Sequence, residues 1–210
     1  MKQRPPFVGI AGIIGAGKST LARKLGEYLG WAVYYEPVAT NEYLDDFYKD
    51  MKRWGFAMQV YLLNERFSIH QQIQWSGKPA IQDRTIQEDT VFAEILCKGG
   101  NIHPRDWQTY LSLFNRMTTS LIQPNVILYL DVTVDTAMSR IQNRDRTVEA
   151  GIPREYMVSL REGYENFITE ISKTVPVIRL PWDDFKSTEE VADILLPEID
   201  RSAIHVARWG

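Results

Sequence analysis

Cysteine is almost missing from these 210 residues. Cys97 stands alone, which excludes an internal disulfide and any zinc site built from cysteine, and fits a reducing compartment. Long apolar runs are missing too. Nothing approaches the roughly 18 consecutive apolar residues of a membrane helix, and the opening "MKQRPPFVGIAG" has no apolar stretch of signal-peptide length. A cytosolic protein with no membrane partner is therefore expected. There is no surplus of positive charge: 24 Lys and Arg stand against 27 Asp and Glu, a formal net of −3. A nucleic-acid coat or an anionic membrane surface demands a field of cations, so neither is an expected partner. A small anion needs only a few local ones. No low-complexity tract and no repeat of fixed period is visible.

What is present describes a globular chain. Hydrophobic residues make up 44% and charged residues 24%, an ordinary balance for a packed domain, and the length suits one α/β domain over residues 1–210. Short β-rich apolar runs alternate with longer stretches of helical spacing, the pattern of a parallel sheet wrapped by helices. The runs predict five strands, at Phe7 to Ala11, Ala32 to Tyr35, Ala80 to Gln82, Val126 to Leu130 and Val177 to Leu180. Leu21, Leu25 and Leu29 give a helix over Ser19 to Leu29 one apolar stripe, and Met58, Leu62, Leu63 and Phe67 do the same for a later one. Pro104 opens a helix running toward Ile122, with Pro124 just past it. Another helix is expected from near Pro153 to near Lys173. In such a sheet the ligand sits beyond the carboxyl ends of the strands. Those ends read Gly12, Glu36, Asp83 and Asp131.

The stretch "GIAGIIGAGKSTLARKL" carries Gly12, Gly17, Lys18 and Ser19 in the spacing G-x-x-x-x-G-K-S. Glycines there let successive backbone N–H groups turn toward a phosphate at the positive end of the following helix. Lys18 adds a point charge, and the Ser19 hydroxyl is placed for Mg²⁺. "FVGIA" before the motif reads as a strand and "STLARKLGEYL" after it as an amphipathic helix, which is the context the motif requires. Gly12, Gly15, Ala16, Gly17, Lys18, Ser19 and Thr20 are thus the expected phosphate-binding set. By itself the loop does not choose among a kinase, a GTPase, an ATP-driven machine and a nucleotide sensor.

The other strand ends narrow the choice. Glu36, in "VYYEPVA", is a carboxylate where a general base for an alcohol nucleophile would stand. In "IQDRT", Asp83 can hold Mg²⁺ directly or through water, and Arg84 can bridge the acceptor oxygen to a phosphoryl group in transfer. Further on, "SRIQNRDRTVEAGIP" holds Arg140, Arg144 and Arg146. Arg140 and Arg144 share a helical face, where like charges repel unless an anion offsets them. This segment, at about 143–153, is expected to be a lid that closes over phosphates.

Taken together, these residues resemble the deoxynucleoside kinase family. "EPV" after the second strand, "DRT" after the third, the R-x-x-x-R-x-R lid and "GIP" behind it follow in the family's order, and "YLDDFYKDMKRWGFAMQVYLLNERF" is similar to its substrate-binding helices. The resemblance runs from Val8 to Phe185. It implies a P-loop kinase fold, a five-stranded parallel sheet flanked by helices, with Mg²⁺ and ATP as phosphoryl donor. It implies that Glu36 takes the proton from a deoxynucleoside 5′-hydroxyl, with Arg84 its partner there, and that Asp83 and Ser19 serve the metal. It implies further that Tyr48 and Glu149 grip the sugar 3′-hydroxyl, that Gln59 pairs with the base, and that the loop with Asp184 and Phe185 lies against the donor adenine. A Trp found soon after "EPV" in many animal members is replaced here by "EPVATNEYL", closer to bacterial members.

Arg66 and Asp89 match positions that sit together at the far edge of the base in the resembling family. The Asp can accept from an exocyclic amine, and pairing it with the Arg avoids an unpartnered buried charge. Deoxyadenosine, deoxyguanosine or deoxycytidine is accordingly expected ahead of thymidine. Relatives pair as homodimers through helices between Glu88 and Gln123 and the helix after the lid, and the same is expected here. Two rivals stand beside this reading. A nucleoside monophosphate kinase of thymidylate kinase type would need cations, not Glu36, beside its acceptor. A non-catalytic nucleotide-binding switch would be expected to show D-x-x-G and N-K-x-D loops, and neither is found.

Overall fold

In the computed structural model of the protein, which describes residues 4–36, 38, 40–143 and 151–207, the five apolar runs become five strands. They are β1 (Phe7–Ala11), β2 (Ala32–Tyr34), β3 (Ala80–Asp83), β4 (Val126–Asp131) and β5 (Val177–Pro181). All neighbours are parallel, in the order β2-β3-β1-β4-β5. β1 and β4 are buried almost throughout, as central strands covered on both faces must be. Their continuous apolar sequences are the local cause.

Strand ends differ from the expected ones by one residue. β2 stops at Tyr34, while β3, β4 and β5 gain Asp83, Asp131 and Pro181. The gain comes from pairing: Asp83 lies opposite Ile10, and Asp131 opposite Pro181. Each residue lies next to its apolar run, and pairing with the neighbouring backbone carries it into the strand.

Helices connect the strands. α1 (Lys18–Leu29) buries Leu21 and Leu25, as its stripe predicts, and closes at Gly30. After β2 come α2 (Leu44–Lys49) and the long α3 (Met51–Ser76), whose first turn is capped by Asp50 accepting from Arg53 N at 2.9 Å. The buried face of α3 is mixed: Met58, Leu62, Leu63 and Ile73 share it with Gln59, Arg66 and His70. A helix that brings an amide, a guanidinium and an imidazole inward needs partners for them. That face becomes a wall of the site.

A 3₁₀ turn at Ile86–Glu88 leads from β3 into α4 (Asp89–Lys98), then α5 (Pro104–Thr118), which ends before Ile122. α6 (Val134–Gln142) follows β4, α7 (Arg154–Ile171) precedes β5, and α8 (Thr188–Ala207) packs on α1. α8 was not foreseen. Among the described residues, no helix is long and apolar enough to cross a membrane.

Candidate active site

The glycine-rich loop joins β1 to α1 with the geometry its spacing predicts. Gly15 has φ +79, and a Cβ there would stand 2.5 Å from the carbonyl oxygen of Ala137 on α6. Gly17 has φ +94 at the start of α1. Only glycine takes both conformations cheaply. Lys18 is buried, and its Nζ donates to the carbonyls of Gly12 and Ile13, at 3.0 Å each. Burial, with Arg84 adding repulsion, brings its pKa down to about 8 against the pull of nearby carboxylates. Ala16 is buried and Thr20 is exposed on the first turn of α1.

Ser19 Oγ donates to Asp83 Oδ2 at 2.5 Å, joining the first turn of α1 to the end of β3. Asp83 Oδ1 is buried with no hydrogen-bond partner among the described residues. Hydroxyl and carboxylate oxygens side by side are hard donors suited to Mg²⁺, which takes one or two protein oxygens and completes its shell with phosphates and water. No group of three metal-ligating side chains occurs among the described residues.

Beside the loop lies a cavity of about 60 Å³ that opens between the segment after β2 and helices α2, α3, α4 and α7. Glu36 and Arg84 stand in its wall with Tyr48, Gln59 and Arg66. Apolar groups, among them Phe47, Met58, Phe92 and Tyr156, line the rest. Gln59 is 2% exposed, and its Oε1 has no partner among the described residues. A buried amide oxygen left unsatisfied costs about 1–3 kcal/mol.

The charges form a ladder. Asp89 pairs with Arg66, Arg66 with Glu36, Glu36 with Arg84 at 3.0 Å, and Arg84 with Glu88 at 3.1 Å. Burial alone would push the Glu36 carboxyl up, but Arg84, Arg66 and Lys18 outweigh it and hold the pKa at about 2. Burial raises the Glu88 carboxyl in spite of the Arg84 guanidinium beside it. Arg84 itself has φ +67, a left-handed backbone unusual for a side chain of its size. Strain of this kind, about 1–3 kcal/mol, persists where surrounding structure enforces it.

Other expected site residues fall differently. Arg140 is tied to backbone: Nη1 donates to Ala16 O at 3.1 Å, and Nη2 to the carbonyls of Trp182 and Asp183, at 2.7 Å each. Its guanidinium lies 4.1 Å from the centroid of Phe185. The side chain expected in a lid therefore staples the phosphate loop to the loop after β5. In that loop Phe185 is 63% exposed and Asp184 is exposed, whereas the neighbouring Asp183 makes the bonds, accepting from Thr133 N at 2.9 Å. Arg144, Arg146 and Glu149 lie outside the described residues.

Glu88 and Tyr164 were missed, and both are wholly buried against Arg84. Glu88 had a sequence signal. The run Thr85-Ile86-Gln87-Glu88 is a capping-box pattern, and Glu88 Oε1 accepts from Thr85 N at 2.9 Å. Nothing local announces Tyr164.

A doubly wound parallel sheet, a glycine-rich loop with a buried lysine and an acidic strand end bonded to the loop serine define a P-loop kinase. The chain belongs to the deoxynucleoside kinase family, whose model, described as "Deoxynucleoside kinase", matches residues 8–205. It is 42% identical over 193 residues to a deoxyadenosine kinase of Dictyostelium discoideum, covering 92% of this chain and 79% of that one. It is 37% identical to a deoxyadenosine/deoxycytidine kinase of Bacillus subtilis, covering 85% of this chain and 83% of the other. The fold is similar to a deoxyadenosine kinase of M. mycoides solved with dCMP and dCDP, with TM-score 0.82 and 30% identity over 93% of this chain and 99% of that chain. The same enzyme with dATP gives TM-score 0.82, covering 92% of this chain and 98% of that chain. The protein is a kinase that phosphorylates deoxynucleosides.

Proposed function

We propose that the protein transfers the γ-phosphoryl group of Mg·ATP to the 5′-hydroxyl of a deoxynucleoside in nucleotide salvage, and that it favours deoxyadenosine, deoxyguanosine or deoxycytidine over thymidine. The observation that carries this reading is the cavity itself: the Gln59 amide and the Arg66 guanidinium line it together with Glu36 and Arg84, beside the phosphate loop.

The loop N–H groups and Lys18 receive the β- and γ-phosphates. Glu36, held ionised by its arginines, takes the proton of the 5′-hydroxyl. The 5′-oxygen forms its bond to the γ-phosphorus as the bond to the bridging oxygen of ATP breaks, leaving ADP and the 5′-monophosphate. Arg84 donates to the acceptor oxygen while charge develops. Ser19 and Asp83 would hold Mg²⁺, and their paired oxygens and the unpartnered Asp83 Oδ1 support that role. The metal, when bound, neutralises charge on the phosphate oxygens. Arg144 and Arg146 belong to the proposal as lid residues.

At the other end of the cavity, Gln59 offers one acceptor and two donors to a base edge. Tyr48, with Glu149, takes the sugar. Asp89, paired with Arg66, supports an amino-bearing base. Relatives named for deoxyadenosine and deoxycytidine lend weight to the preference. Phe185, exposed and stacked on Arg140, supports a place for the donor adenine in that loop.

A panel of four deoxynucleosides with ATP tests the reading by formation of each monophosphate. Thymidine as the best substrate would overturn the preference, and phosphorylation of a monophosphate in place of every nucleoside would overturn the acceptor. A cytoplasmic homodimer through the helices between Glu88 and Gln123 and the helix after the lid, α7, completes the proposal, and Leu113 on α5 is 39% exposed. A monomer in light scattering at micromolar concentration would contradict it.

A further inference from the structure

Arg84 is held more heavily than any contact with a substrate requires. Its N–H donates to Ile10 O at 3.1 Å, which keeps the end of β3 against β1 in the left-handed turn. Nε donates to Glu36 Oε2 at 3.0 Å, and Nη1 donates to Glu88 Oε2 at 3.1 Å. The Tyr164 hydroxyl accepts from the same Nη1 and donates to the same Glu88 oxygen. Glu88 Oε1 is fixed in turn by the Thr85 N–H. The ring of Phe92 lies under the guanidinium, 4.6 Å from Cζ.

Glu88 and Tyr164 are both 0% exposed, and neither lines the cavity that holds Glu36 and Arg84. They stand behind the arginine, out of reach of a ligand. A fully buried carboxylate is costly, and an apolar side chain would fill its place with less penalty. Its presence therefore bears on how the guanidinium is oriented. Arginine carries five N–H donors in a planar fork. These bonds occupy Nε and both hydrogens of Nη1, so the donors they leave are on Nη2.

We propose that Glu88 and Tyr164 are positioning residues for phosphoryl transfer: they fix the plane and rotation of the Arg84 guanidinium so that its Nη2 donors meet the acceptor oxygen beside Glu36. Three parts of the fold set that plane, the segment just past β2 through Glu36, the 3₁₀ turn through Glu88 and α7 through Tyr164. The inference rests on the reading of Arg84 as a donor to the acceptor oxygen. A donor swung by about 1 Å has lost most of its value for a reaction that depends on aligned groups.

Tyr164→Phe tests it, because the ring that stacks on Tyr129 and meets Phe92 edge-on remains while the hydroxyl is lost. The expected result is a fall in kcat of about 10- to 100-fold, with KM for nucleoside and for ATP within about twofold, and Glu88→Gln shifts kcat the same way. In an Arg84→Lys background, followed by single turnover, Tyr164→Phe is expected to cost nothing further, since groups that act as a unit are not additive. Native kcat in Tyr164→Phe would overturn the proposal. So would an equal loss in both backgrounds, or a loss that vanishes when rates are counted per folded, nucleoside-binding site. If Arg84→Lys keeps native kcat, the role of Arg84 fails and the inference falls with it. If Arg84→Lys is impaired and Tyr164→Phe is native, the inference alone fails.

Discussion

Arg66 on α3 is ion-paired with Glu36 just past β2, its guanidinium 1% exposed and facing the same carboxylate that Arg84 binds from the other side. Two guanidiniums on one carboxylate keep it charged where burial would neutralise it. A carboxylate so held stays ready to accept a proton across the neutral range.

Glu36→Gln should accordingly lower kcat by about 10²- to 10⁴-fold, the usual worth of a general base, while the variant still folds and binds nucleoside. Steady-state turnover alongside nucleoside binding by calorimetry checks this. Near-native turnover would remove Glu36 from the base role. The Glu36 pKa is depressed to about 2, so its contribution to stability is whole above about pH 4.5 and is lost as the pH falls toward 2.

Gln59→Leu separates binding from folding. Replacing an unsatisfied buried amide with a side chain of similar size removes its desolvation cost. Unliganded stability should hold or rise by about 1 kcal/mol, while KM for the nucleoside rises at least about tenfold, the loss of a base-reading hydrogen bond. Thermal melts and a substrate titration decide it, and an unchanged KM would show that the amide does not read the base.

Asp89→Ala takes from the buried Arg66 one of its two carboxylate partners, Glu36 remaining, and should destabilise the fold by up to about 3–5 kcal/mol. The double change Arg66→Met with Asp89→Ala removes both charges and should regain much of that stability. The same double variant should gain thymidine activity relative to deoxyadenosine. If the ratio between the two nucleosides does not move, the pair has no part in choosing the base.

Arg140→Ala is expected to act on the donor side. Its three bonds to the carbonyls of Ala16, Trp182 and Asp183 hold the loop after β5 to the phosphate loop. Losing them should raise KM for ATP by about tenfold or more, each such charged bond being worth about 1.5–3 kcal/mol, with nucleoside KM little changed. Loss confined to kcat would return Arg140 to the phosphates.

His70 gives the fold an acid-side weakness. It is buried on α3, bonded through Nε2 to Ile122 O at 2.8 Å, and set edge-on against Phe7. Burial, with Arg4 nearby, brings its pKa down from 6.5 to about 4. The neutral form is favoured in the fold, so its contribution is whole above about pH 6.5 and is lost as pH falls through 4, at most about 3 kcal/mol. His70→Phe should flatten the dependence of melting temperature on pH across that window. An unchanged slope would acquit the imidazole.

Much of this protein is local and was legible as sequence. The strands follow from β-branched runs, α1 from its leucine spacing, and the phosphate loop from glycines at fixed places before Lys18 and Ser19, because backbone conformation and amphipathic period are properties of neighbouring residues. Glu36, Asp83 and Arg84 are visible for the same reason: they lie at or just past the ends of strands that the pattern locates. What a charge would touch is another matter. Asp183, not Asp184, bonds Thr133, Arg140 turns to backbone carbonyls, and Asp83 and Asp131 join strands that neighbouring backbones extend. Glu88 and Tyr164 reach Arg84 from different elements. Which carboxylate meets which guanidinium depends on distances across packed elements and on how far burial strips both of water. The sequence alone determined the sheet, the loop and the strand ends where the chemistry lies, and only the tertiary structure decided the partners that hold those groups in place.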